Sequence, residues 1–123
     1  SRLALLDQAR AQRQDALRAY VAEVRKLMAD WESGRERCAR YERELIPLAV
    51  QRSQALLAAY RGGKASLAEV LASRRSEIDL RLQTLQIEAE TAQAWARLKF
   101  LAIQSGAVTA AVESAEQPIR NTK

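Results

Sequence analysis

Large or apolar residues recur along the first half of the chain at alternating steps of three and four: Leu17, Tyr20, Val24, Leu27, Trp31, then Cys38, Tyr41, Leu45 and Leu48, with Gly34 in one slot. A three-four alternation sustained over several repeats is the seam of a coiled coil. Nothing before Gly62-Gly63 breaks the helix except Pro47, which forfeits one backbone hydrogen bond and predicts a bend there. The first helix is therefore expected over 1–60; from Leu3 to Tyr60 it would be roughly 87 Å long at 1.5 Å per residue. That exceeds the depth of any small domain's core.

The break at residues 61–66 has its own chemistry. Gly62 and Gly63 can take the positive φ that ends a helix, and Ser66-Leu67-Ala68-Glu69 has the S-x-x-E form of a capping box that starts the next one. So short a connection makes the two helices antiparallel neighbours. The second helix is expected over 67–105, with Ser105-Gly106 as its stop, and 106–123 as a flexible tail.

The second helix carries two apolar seams. One follows Leu71, Ile78, Leu82, Leu85, Ala89, Ala92, Ala96 and Ile103; the other follows Leu80, Ile87, Ala94, Leu98 and Leu101, about half a turn away. A two-helix hairpin uses only one. The spare stripe predicts a neighbour on each flank, as in a curved wall, and the small residues at 89, 92 and 96 would let it approach closely. A bundle of three or four helices formed by dimerisation accounts for the same stripe. The fold expected is all-α, a long antiparallel coiled-coil-like helical hairpin that forms part of an α-helical barrel wall.

Composition agrees with long helices. Of 123 residues 48% are apolar but only 5% aromatic, and there are 4 Gly and 2 Pro, so strong helix formers dominate and large core-filling rings are few. The net charge of +5 raises nucleic acid or an anionic membrane as partners. The charges alternate in sign, however, with i, i+4 pairs such as Glu36/Arg40 and Glu77/Arg81, which is the pattern of solvated helix faces. Histidine is absent and Cys38 is the single cysteine. Those counts argue against a metal site, a cofactor or a His-activated nucleophile, and the expectation is a chain that is not an enzyme. No apolar run approaches the ~20 residues needed to span a bilayer as a helix. The opening Ser1-Arg2-Leu3 shows neither an initiator Met nor a signal peptide, so the chain reads as a piece of a longer one.

The residues flanking the turn carry a resemblance. Leu45-Ile46-Pro47-Leu48-Ala49, Ala58-Ala59-Tyr60-Arg61-Gly62-Gly63-Lys64 and Leu67-Ala68-Glu69-Val70-Leu71-Ala72-Ser73-Arg74-Arg75 resemble the second-repeat periplasmic hairpin of TolC-family outer-membrane efflux channels. Glu88-Ala89-Glu90-Thr91-Ala92-Gln93-Ala94-Trp95-Ala96-Arg97-Leu98 resembles the returning helix of the heavy-metal, CzcC-like branch. The resemblance runs from about Leu3 to Leu101, and such a hairpin would make up about the last quarter to third of the whole channel protein.

The resemblance implies a homotrimeric channel in the cell outer membrane, with this segment in the periplasm as a passive exit duct for heavy-metal cations. Membrane contact would come only through parts of the parent protein outside this chain. The turn would be the tip that meets a periplasmic adaptor, a membrane fusion protein, and through it an inner-membrane RND pump; no nucleic acid is involved. Matched position by position, Tyr60 and Gly63 fall on the Y-x-x-G of the tip, and Leu67, Val70 and Leu71 on the apolar positions after it. Arg61, Gly62, Lys64 and Ser66 complete the docking set. Glu69 falls where the family places an acidic residue near the pore constriction, and it is equally the residue that closes a capping box on Ser66. Ala72 departs from the family archetype, which has a second acidic residue there. A different class, a soluble coiled-coil binding or scaffold module that uses its positive charge on nucleic acid, would instead bind with steep salt dependence.

Overall fold

The computed structural model describes residues 1–120 and, in α3, side chains as far as residue 117. The protein is an all-α helical hairpin of two long helices packed against each other. The first arm is α1 (Arg2–Arg40), a π-helical segment (Tyr41–Leu45) and α2 (Ile46–Arg61); the second is α3 (Leu67–Arg120). Two compact units divide the chain, Trp31–Gln93 around the turn, and Ser1–Asp30 with Ala94–Lys123.

In the unit around the turn, α3 turns Val70, Ser73, Glu77, Leu80, Thr84, Ile87 and Thr91 away from solvent, a strict three-four alternation. Facing them are Trp31, Gly34, Cys38, Tyr41, Leu45, Ala49, Ser53 and Leu56, all buried or half-buried. The arms run antiparallel: a Cβ on Gly34 would collide with the Thr91 side chain, while further along the Tyr41 hydroxyl donates to Gln83 Oε1 at 3.4 Å. Of the two seams on α3, the one through Leu80 and Ile87 is inside. It is polar for a core. Ser73, Thr84 and Thr91 return their hydroxyls to the carbonyls of Val70, Leu80 and Ile87, which lets these side chains sit buried with their polar atoms satisfied. Glu77 lies at the edge of the seam between Arg74 and Arg81, 3.4 Å from each.

Leu48, expected in the first seam, is 63% exposed. The spacing Tyr41, Leu45, Ala49, Ser53 takes successive steps of four, so one residue more than a heptad allows lies in this stretch. The π segment absorbs it, with the Ile46 N–H donating to the Tyr41 carbonyl five residues back. Pro47 follows directly, in the first turn of α2, where its missing N–H is tolerated. The widened turn just before Pro47 rotates the following seam by one position and puts Leu48 outside.

In the other unit, Val24 and Leu27 of α1 and Ala94, Leu98 and Leu101 of α3 are shielded, and Arg97 Nε donates to Glu23 Oε1 at 3.2 Å. Residues 1–22 and 102–117 are exposed throughout, so Leu17 and Tyr20 do not join the seam as expected. The heptad places Arg10 and Arg13 on α1 and Ser105 on α3 at seam positions, which interrupts apolar continuity there. Nor does the helix stop at Ser105-Gly106. α3 runs to Arg120, and the tail expected over 106–123 is helical as far as that residue, with 121–123 outside the described residues. A lone glycine costs a helix about 1 kcal/mol without ending it. Gly106 keeps a negative φ.

Candidate functional site

The turn joins two capping motifs with one residue between them. α2 ends in a Schellman motif: Gly63 has φ +75°, its N–H donates to the Tyr60 carbonyl at 3.0 Å, and the Lys64 N–H reaches the Ala59 carbonyl at 2.8 Å. Gly62 precedes it at φ −84°, which any residue adopts, so of the two glycines only Gly63 is required by conformation. α3 then opens with a reciprocal capping box. The Glu69 N–H donates to Ser66 Oγ at 3.2 Å, and the Ser66 N–H donates to Glu69 Oε2 at 2.8 Å. The Ser66 hydroxyl adds a bond to the same oxygen at 3.3 Å.

Of the two roles open to Glu69, the capping one is thus occupied within this chain. Tyr60, Arg61, Gly62, Gly63, Lys64, Ser66, Leu67 and Leu71 are all exposed, so most of the tip set is on the surface. Val70 is the exception; at 6% exposure it is the first layer of the seam.

An open groove of about 390 Å³ runs from the tip along one side of the hairpin, with Leu45, Leu48, Leu56 and Leu80 as its apolar lining and Arg52 and Glu69 as charged members. Leu48 belongs to this groove because of the π segment. The signal that could have found it was the run of four-residue steps beginning at Tyr41. Close by in sequence, Ser53 is fully buried and its Oγ has no partner among the described residues.

The back of α3 is a second surface. Leu71, Ile78, Leu82 and Leu85 are 59%, 58%, 55% and 59% exposed, although they are larger than most residues in the buried seam. On a heptad wheel the stripe and the seam point about 150° apart. At the equivalent outer positions of α1, Glu32 and Glu36 are exposed and charged, and Ala39 is half-buried.

Among the described residues no three His, Cys, Asp or Glu side chains are placed to hold a metal ion. Burial, with Glu88 and Glu42 adding to it, pushes the Cys38 thiol above its ordinary value of 9.0, the reverse of what a nucleophile needs. No described helix is long and apolar enough to cross a membrane. No family model, curated protein or solved structure matches the chain.

Proposed function

We propose that the chain performs no chemistry and is a wall segment of a larger helical assembly, a TolC-type outer-membrane efflux channel whose turn docks to a periplasmic adaptor. The observation that carries the wall reading is the exposed apolar back of α3, about 150° from the buried seam. A helix in a four-helix bundle has its two neighbours about 90° apart. Neighbours at about 150° instead fit a closed ring of roughly a dozen helices. In such a wall the charged back of α1 would meet its other neighbour through ion pairs.

The channel itself rests on the resemblance around Tyr60 to Arg75 and from Glu88 to Leu98. The doubly capped turn supports a docking role, since it displays Tyr60, Leu67 and Leu71 beside two hydrogen-bonded helix caps. Heavy-metal cations would pass as solvated cargo, because no ligand cluster is present among the described residues to capture them.

Two observations test this. The parent reading frame should contain a related upstream hairpin, with alternating apolar strands between the two; a frame without them sinks the channel. In an assembled pump carrying Cys38→Ala, a cysteine at Lys64 should crosslink to one in the adaptor's hairpin. Absence of that product across adaptor positions removes the docking role even if the channel stands.

A further inference from the structure

We propose that the partner docking on the turn presents a concave, acidic protein surface, whose carboxylates meet Arg52, Arg61 and Lys64 as it encloses the end of the hairpin. The inference rests on the docking role proposed for the turn and adds the chemistry and the shape of what docks there.

Charge is segregated along this chain. Between Glu44 and Glu77 stand five cations, Arg52, Arg61, Lys64, Arg74 and Arg75, and a single carboxylate, Glu69. The rest of the chain holds 15 cations and 14 anions, so nearly all of the net charge of +5 lies beside the turn. The alternation of sign that marks a solvated helix face breaks down here. Two of these groups are engaged locally: Glu69 Oε2 accepts from the Ser66 N–H at 2.8 Å and its hydroxyl at 3.3 Å, and Arg74 is paired with Glu77 at 3.4 Å. Arg75, between Leu71 and Ile78, belongs to the exposed stripe of α3 and goes with that face. Arg52, Arg61 and Lys64 remain. All three are exposed, and none has an ion-pair partner among the described residues.

Their placement sets the shape of the partner. Lys64 is in the turn, Arg61 in the last turn of α2, and Arg52 nine residues earlier, about 14 Å back along the helix. At about 100° per residue, those nine residues put Arg52 and Arg61 on opposite flanks of α2. Arg52 is on the groove flank with Leu48 and Leu56. Arg61 is stabilised by the C-terminus of its own helix, a role that Arg52, in mid-helix, does not have. A flat anionic bilayer touching the turn would be screened from Arg52, because the Debye length at physiological salt is about 8 Å. A nucleic-acid duplex is convex and would reach one flank of α2 or the other. A surface that wraps the end of the hairpin meets all three cations. Tyr60 and Leu67, 42% and 51% exposed at the same end, supply the apolar centre that a protein interface sets inside a charged rim. The charges then steer and orient the encounter.

The test uses the assembled pump in a Cys38→Ala background. Gly62→Cys, which leaves Lys64 in place, reports docking by its rate of crosslinking to a cysteine in the adaptor's hairpin. Arg52→Glu with Arg61→Glu should slow that rate about ten-fold or more, the scale on which electrostatic steering sets association. Arg52→Gln with Arg61→Gln should slow it by less, and Arg52→Lys with Arg61→Lys should keep it. The Gln pair puts no wrong-sign charge at the end of α2, so it decides the matter if the Glu pair melts early. Raising the ionic strength from about 0.1 to 1 M, which shortens the Debye length from about 10 to 3 Å, should slow the unsubstituted pair and have little effect on the Glu pair. Crosslinking at an unchanged rate in the Glu and Gln pairs overturns the acidic partner and leaves the docking role standing. No crosslink in the Gly62→Cys chain with Arg52 and Arg61 intact removes the docking role and this proposal with it. Binding to phosphatidylglycerol vesicles or to a DNA duplex at physiological salt, abolished by the Gln pair, also overturns it by assigning the cations to a different polyanion.

Discussion

Gly62 and Gly63 are adjacent and chemically identical, yet only Gly63 has the positive φ that an L side chain resists. Gly63→Ala should therefore lower stability by about 1–2 kcal/mol. Gly62→Ala should be neutral or raise it by up to about 1 kcal/mol, because a Cβ there meets only the Ala58 and Ala59 carbonyls at 3.6 Å and the unfolded chain loses freedom. Urea unfolding of the two variants measures the difference, and similar losses in both would contradict the Schellman geometry. Gly34 is needed for a different reason. A Cβ there would overlap Thr91 Oγ1 and come within 3.0 Å of Thr91 Cβ, so Gly34→Ala should cost about 1–3 kcal/mol. Thr91→Ala added to it should recover part of that loss, a positive coupling readable in a double-mutant cycle. Additive losses would mean that the collision is elsewhere.

At the scale of the element, the first arm holds its seam across a residue that a heptad cannot accommodate. Deleting Pro47 removes the extra residue, so that Tyr41, Leu45, Ala49, Ser53 and Leu56 fall into an unbroken three-four alternation. The π turn then has no reason to persist. The deletion should keep the hairpin folded with an unfolding midpoint at or above that of the parent. Deleting Glu36 instead, between Gly34 and Cys38, rotates one side of the seam by about 100° against the other and should lower the midpoint sharply. Denaturant melts of the two deletions decide the matter; equal damage from both would show that the π segment is not what absorbs the extra residue.

For the whole molecule, one stripe of α3 is buried in the hairpin seam and the other is exposed. Ile87 is buried at 6% exposure in the hairpin seam, and Ile87→Asp should destabilise the hairpin by several kcal/mol through an unpaired buried carboxylate. Leu82 is 55% exposed, and Leu82→Asp should change hairpin stability by no more than about 0.5 kcal/mol while weakening association through the outer face. Circular dichroism melts paired with sedimentation would separate the two effects. A large loss of helicity in Leu82→Asp would place that side chain in the seam.

Local chemistry made much of this protein legible from its sequence. Strong helix formers in three-four alternation specify helices and a seam, and Gly63 with the Ser66-to-Glu69 spacing specifies where one helix ends and the next begins, because caps depend on residues only a few positions apart. The two apolar seams of α3 were equally visible. Periodicity treats them alike, and only packing against the facing arm chose the one through Leu80 and Ile87, where Gly34 offers the close approach that Thr91 fills. The displacement of Leu48 and the passage of α3 through Gly106 were likewise tertiary and cooperative outcomes. A helix already propagating tolerates one glycine or one extra residue at modest cost, whereas starting a new element carries the full penalty of nucleation.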